Sequence, residues 1–484
     1  MPGRDFPGPE NGPGHGIFRR PNSRVDKRYR HLSSSHNSTK TSVLASYCSV
    51  SLPFAALGLP LAVYLPPFFA QDLGLGVATV GLIFTLARIW DVITDPTIGY
   101  LMDRFPSRWG KRRHWIALSV PITIAGAFAI YMPPETVSPF YLVAWLFVLY
   151  LGMTISSVTH QAWGADLTTL YHERSRIYGW REIIMSLGML LVLIVPAVAE
   201  QLWDVDARQK VASMGWFLII SMPITVLLCL KFVPDRVPNK ATTTAVHTRL
   251  ADIKSIFSTN PTYIRCLIAI FLTFFAASAT SGVLLFALKW VWGLEEQSSS
   301  LLLLFFLPAI IGAPLWMALS YRLGKPKALL TAMLYGSCCQ LGLLFVPHNG
   351  LVSIAILFAL IGLGVSSSPI LLRSLLADTT DFDALHNKGT YRTGFVFACF
   401  TTGEKLAGAL AIGTTYFLLN LIGFDSTAEL NSPESVQGLL YLVVAIPVLT
   451  NTVAMLIIWQ FPITPEAHKK IIAELAGIGA LDNH

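Results

Sequence analysis

Charged residues are scarce in this chain: Asp, Glu, Lys and Arg make up 13% of its 484 residues, about half their usual share in a soluble domain. With 53% hydrophobic residues and a mean hydropathy of +0.57, the scarcity points to one polytopic membrane domain instead of several soluble ones. Cysteine offers no framework. All six (Cys48, Cys229, Cys266, Cys338, Cys339, Cys399) lie in apolar runs, with neither a disulfide pattern nor metal-ligand spacing. No Gly-x-x-x-x-Gly-Lys-Ser/Thr loop occurs, which argues against ATP-driven work. No Gly-x-Gly-Asp stretch occurs either, which argues against an intramembrane aspartyl protease. The first apolar run, 42–69, holds no acidic residue at all.

What the chain has instead is long apolar runs. Twelve candidate spans can be read: 43–69, 77–101, 115–132, 140–163, 182–199, 214–232, 264–287, 301–319, 328–346, 352–375, 393–419 and 439–459. The expected architecture is therefore an all-α polytopic membrane protein of twelve transmembrane helices. Its expected parts are a first six-helix bundle (42–233), a polar cytoplasmic linker (234–261), a second bundle (262–461) and a tail (462–484) with an amphipathic piece over 466–475. Residues 1–41, rich in Pro, Gly, Ser and Arg, read either as a disordered basic cytoplasmic tail or as the product of a mis-assigned translation start.

Lys and Arg fall mainly in the connections after the even-numbered spans: Arg104, Arg108, Lys111, Arg112 and Arg113 after the second, Arg174 and Arg176 after the fourth, Arg322, Lys325 and Lys327 after the eighth. The positive-inside rule then puts both termini in the cytoplasm of a plasma (bacterial inner) membrane. The net +7 is topological. Cations split among short loops, with no aromatic platform, exclude a nucleic-acid partner.

The sharpest feature lies inside the second span, Arg88-Ile-Trp-Asp91-Val-Ile-Thr-Asp95-Pro96. Positions 88, 91 and 95 share one stripe of a helix. A charge at the bilayer centre costs about 2.5–3.5 kcal/mol on insertion scales, so such groups face a polar cavity or a partner. Asp91 and Asp95 are coupling candidates, against a structural role paired to Arg88 or Lys405. Arg88 itself reads as a structural counter-charge.

The stretch from Ala87 to Pro96, followed by Ser107-Arg-Trp-Gly-Lys111, resembles the signature of the glycoside-pentoside-hexuronide:cation symporters of the major facilitator superfamily. Shorter pieces follow in that family's order: His172-Glu173-Arg174-Ser175-Arg176, Trp180-Arg181, Ala377-Asp378-Thr-Thr-Asp381 and Glu404-Lys405-Leu406. The resemblance implies two pseudo-symmetric bundles, a central site open alternately to each side, and solute movement driven by a H⁺ or Na⁺ gradient. It implies no cofactor and no resident metal beyond Na⁺ at Asp91 and Asp95. Its cation-site acids match Asp91 and Asp95, and the position of a third acid holds His160, which tilts the expectation toward protons. Arg181 matches a substrate-contacting arginine and Lys405 the lysine of the eleventh helix. Thr401, one turn before Lys405, and Trp163, one turn from His160, complete the substrate candidates. Glu404 and Lys405 point about 100° apart, so they cannot face one cavity direction. Asp103, Arg104, Lys111 and Arg112 are expected to gate the cytoplasmic end.

The leading expectation is a cation-coupled symporter, a monomer in the lipid bilayer, for a small polar solute such as a saccharide or glycoside. The sugar carriers of this family bear a sugar-binding Asp in the first span, which 42–69 lacks; a lysolipid or other amphiphile is therefore the alternative. A polytopic membrane enzyme and a non-transporting sensor are the readings outside transport.

Overall fold

The computed structural model describes residues 39–203, 206–235, 256–257, 260–295, 297–387, 390–425 and 430–478. The expected tail before residue 39 and most of the linker (236–255, 258–259) lie outside the described residues.

Among the described residues the chain is helical, without a strand. The first expected span is broken into α1 (Thr41–Ser49) and α2 (Ser51–Val63), then short turns over Leu65–Pro67 and Phe68–Asp72. Four prolines in this stretch, each lacking an N–H, keep the ladder from running through. There follow α3 (Val77–Arg104), α4 (Arg113–Tyr131), α5 (Pro139–Asp166), α6 (Tyr171–Trp203), α7 (Ala207–Phe232), α8 (Pro261–Phe286), α9 (Ser298–Leu323) and α10 (Lys325–Gly342). The tenth span is split at Ser366 into α11 (Leu351–Val365) and α12 (Ser367–His386), just ahead of Pro369. Last come α13 (Thr393–Leu421), α14 (Pro433–Ile458) and α15 (Pro465–Gly477). Eight of these helices or joined pairs are long and apolar enough to cross a membrane. The other four crossings are α1–α2, α3, α6 and α9, the last three longer than the roughly 30 Å of hydrocarbon. Large apolar side chains such as Leu227 and Leu456 stay exposed, 65% and 70%, as a lipid-facing surface requires.

Two separate hydrophobic cores form. One gathers residues of α1 through α7, including Tyr47, Leu57, Ile116 and Met214; the other gathers Val283, Trp292, Phe358 and Val443 from α8 through α14. Among the described residues, small apolar clusters bridge them: Ile98, Met102 and Ile155 against Ala398, and Ile183 against Ala313, Met317 and Ile370. The seams between halves are thus α3 and α5 with α13, and α6 with α9 and α12.

The α3–α13 seam depends on small residues. A Cβ on Gly99 would overlap the Ala398 methyl and press on the Gly394 carbonyl. Gly99→Leu is therefore expected to force the two helices apart, at a cost of about 1–3 kcal/mol. A thermal unfolding scan in detergent checks this, Gly99→Leu melting below the wild type.

The helix α15 is amphipathic. Thr464 Oγ1 accepts from Ala467 N at its start (3.2 Å), and a buried face of His468, Ile471, Ile472 and Leu475 docks on α12.

Candidate functional site

The acids at 91 and 95 meet at the α3–α13 seam. Both are buried, 1% and 0% exposed, although they belong to a helix with no polar core of its own. Lys405, from α13, lies between them: its Nζ is 2.7 Å from Asp91 Oδ2 and 2.9 Å from Asp95 Oδ1. Thr154 of α5 supplies the remaining contact, its Oγ1 2.7 Å from Asp91 Oδ1 and 2.9 Å from Asp95 Oδ1. Asp95 Oδ2 is buried and accepts no hydrogen bond among the described residues. Among the described side chains, two carboxylates and one ammonium leave a net charge of −1 in a largely dry place. A proton or one monovalent cation would cancel it, and carboxylate and hydroxyl oxygens suit a hard ion. The side chain of Arg88 lies outside the described residues.

The structure places His160 elsewhere. Its ring stacks on Tyr47 (4.2 Å between centroids), its Nε2 lies 2.8 Å from the Tyr47 carbonyl oxygen, and Phe54 closes the edge. The histidine faces α1 and α2, while on the same α5 the residue that reaches the acids is Thr154, six positions earlier. Trp163 is buried with its Nε1 donating to the Pro234 carbonyl (3.0 Å), so it anchors the chain after α7. Thr401 donates to the Ala398 carbonyl of its own helix (2.9 Å). Arg104 lies on the surface against Tyr100 (2.7 Å) and takes no part in a cross-bundle contact among the described residues.

A second charged cluster had not been singled out from sequence. Arg373, in α12, donates from Nη2 to Glu404 Oε1 (2.8 Å), from Nε to Gln161 Oε1 (2.9 Å) and from Nη1 to the Pro369 carbonyl (3.2 Å), and stands 3.6 Å from Glu182 Oε2. It thus joins α5 and α6 of one half to α12 and α13 of the other. Arg181 lies beside it, 3.8 Å from Glu182, with its Nε unpartnered. Glu404 and Lys405 do face different neighbours, as the helical period requires. The signal in the sequence is Arg373 itself, a cation near the end of the apolar run 352–375. Unlike the first cluster, this one balances two cations against two anions.

Two clasps close the end of the bundle where the basic loops gather. In the first, Asp103 accepts from the amides of Gly394 (3.1 Å) and Phe395 (2.9 Å) in the first turn of α13, where helix N–H groups lack partners of their own. Lys111 (3.3 Å) and Arg112 (3.1 Å) hold the same carboxylate, and Arg112 Nε reaches Asp166 (2.9 Å). In the second, Arg174 of α6 donates to Asp381 (2.5 and 3.1 Å), Asp378 (3.1 Å) and the Ala377 carbonyl (2.9 Å) of α12. Lys325 adds 2.6 Å to Asp378, placed by Gly324, whose φ of 81° ends α9 and starts α10 at once. His468 of α15 adds 2.8 Å to Asp381. Asp378, Asp381 and His468 lie close enough to hold a metal ion, but Arg174 and Lys325 already occupy the carboxylate oxygens, so the cluster is an ion-pair network across the seam and not a metal centre.

A family model described as MFS/sugar transport protein matches residues 46–465. The chain is 23% identical to an Escherichia coli glucuronide carrier protein homolog, over 86% of this chain and 91% of that one. It is 22% identical to the human sodium-dependent lysophosphatidylcholine symporter 1, over 86% and 83%. Among solved structures, the E. coli fucose:proton symporter superimposes with a TM-score of 0.62 at 15% identity, covering 87% of this chain and 98% of the other. A proton:xylose symporter does so with a TM-score of 0.62 at 16% identity, covering 89% and 98%. These likenesses carry the major facilitator fold. The protein is a multi-pass membrane transporter and not an enzyme, and the chain belongs to the glycoside-pentoside-hexuronide:cation symporter family of that superfamily.

Proposed function

We propose that this carrier takes up a saccharide together with H⁺ or Na⁺, with the acids at 91 and 95 as the coupling locus. The observation that supports this most directly is the contact at the seam: among the described side chains, two buried carboxylates from one half meet one lysine from the other. A cation that satisfies the acids weakens their hold on Lys405, so its binding changes the free energy of separating the halves. Only such differential binding shifts a two-state equilibrium. The Arg373 cluster, with Arg181 beside it, is the part that meets the solute, because it too crosses the seam. His160, stacked on Tyr47, is assigned to packing.

Asp103 and Arg174 hold the basic end shut in this conformation. That end is assigned to the cytoplasm of a plasma (bacterial inner) membrane, with the two six-helix units (42–233 and 262–461) working as a monomer. The deciding experiment is uptake by reconstituted vesicles against a solute panel, with Na⁺ and H⁺ gradients imposed separately. Asp91→Asn should abolish accumulation against a gradient while still reaching the membrane; accumulation at the wild-type level removes Asp91 from coupling. A lysolipid remains the second reading, supported by the acid-free first span and by the lysophosphatidylcholine symporters among the relatives. The same vesicles offered a lysophospholipid distinguish it.

A further inference from the structure

We propose that a cavity inside the second bundle is a subsite for an uncharged aromatic aglycone, so that the preferred solutes are aryl glycosides and not free sugars. The proposal rests on the saccharide reading above. The cavity, of about 280 Å³ and open on one side, where Ser281 and Val365 are exposed, is lined by residues of α8, α9, α10, α11, α12 and α14. None of the residues lining it is charged, so neither a uronate carboxylate nor a phosphate finds a counter-ion there.

The lining is less polar than its residue names suggest. Thr273, Thr280 and Ser367 each donate to a carbonyl of the local chain, at Ala269 (2.7 Å), Ala276 (3.0 Å) and Gly364 (2.6 Å). With those hydroxyls committed, the walls present mainly the carbon of Phe274, Phe305, Met333 and Ile361. Ser281, Ser368 and Asn451 add polar groups to the lining, and among the described residues one lining atom is both buried and unmet. Gln340, only 7% exposed, lines the cavity with an Oε1 that has no hydrogen-bond partner. A buried acceptor left unmet is costly, and a ligand bearing one donor relieves that cost.

Size and position fit the same ligand. A dry cavity of about 150 Å³ is enough to bind benzene, so this one has room for a substituted phenyl ring. Its wall includes Pro369, directly after the break between α11 and α12, and the Pro369 carbonyl accepts from Arg373 (3.2 Å). The cavity is therefore linked through Pro369 to the cluster that faces the other bundle, and the proposal places the sugar on the Arg373 side of that residue. Breaks in membrane helices recur where substrates bind, since the backbone there is free to meet a ligand.

The test uses the full-length protein in nanodiscs and matched methyl, phenyl and 4-hydroxyphenyl glycosides of glucose, galactose, xylose and glucuronic acid, with binding read by calorimetry. For whichever sugar binds, the 4-hydroxyphenyl compound is expected to bind at least about tenfold tighter than its methyl partner. Gly336→Leu places a side chain in the cavity where a Cβ meets nothing within 4 Å, so it fills the space without a backbone clash. It is expected to bring the aryl-to-methyl ratio to about one. Gln340→Leu should erase the advantage of 4-hydroxyphenyl over phenyl. Equal binding of methyl and aryl glycosides, or an aryl preference that survives Gly336→Leu, overturns the subsite and leaves the saccharide reading standing. Binding of a lysophosphatidylcholine by a protein that binds no glycoside overturns both.

Discussion

Lys405→Leu is expected to abolish accumulation against a gradient and to lower the melting temperature of the purified carrier. Among the described residues Lys405 is the cation within 3 Å of both Asp91 and Asp95, and its loss removes the ammonium from between two buried carboxylates. Removing one partner of a buried ion pair costs about 3–5 kcal/mol. The lower end applies, because the Lys405 side chain is 18% exposed and solvent reaches it. Adding Asp95→Asn to Lys405→Leu returns the site to a single negative charge, so the double variant should recover much of the lost stability while still failing to accumulate solute. A Lys405→Leu protein that accumulates as the wild type does would end the coupling role proposed for this seam.

Arg174→Gln is the second large effect. Arg174 is buried and holds two carboxylates of α12 from across the other seam. Without it, Asp378 keeps Lys325, which belongs to its own half, and Asp381 keeps His468 from α15. Neither contact ties the halves together. If about 3 kcal/mol of the pair's energy belongs to the closed arrangement, its loss shifts the closed-to-open ratio by roughly a hundredfold. Spin labels at the exposed positions Trp109 and His386 should report a longer distance in Arg174→Gln, and uptake should fall because this end no longer recloses. An unchanged distance distribution would show that the Arg174 cluster is not what holds it.

The acids, the lysine and the basic loops were legible in the sequence for one reason. A charge inside an apolar run is expensive, so each announced a polar surrounding before any fold was known. What the period could not give was the partner. Thr154 is an ordinary hydroxyl in an apolar run, and only the packing of α5 on α3 brings it to Asp91. His160 was placed by alignment with a family position, yet its ring points to Tyr47, because a helix aligned in sequence still chooses its rotation by what packs on either side. The same holds for Trp163, whose indole is claimed by the Pro234 carbonyl. Arg373 stands near the end of the run 352–375 and outside the motif that holds Asp378 and Asp381, so its signal is weaker than that of Arg88. The break at Ser366 was marked by Pro369, although the run around it reads as one continuous apolar stretch.

Glu404 and Lys405 are neighbours in the chain, yet one is held by Arg373 and the other by the pair of aspartates. A roll of α13 that frees either side chain drags the other out of register, so both bonds fail in the same event. The arginine of one bundle and the aspartates of the other are thereby linked through adjacent residues of a single helix.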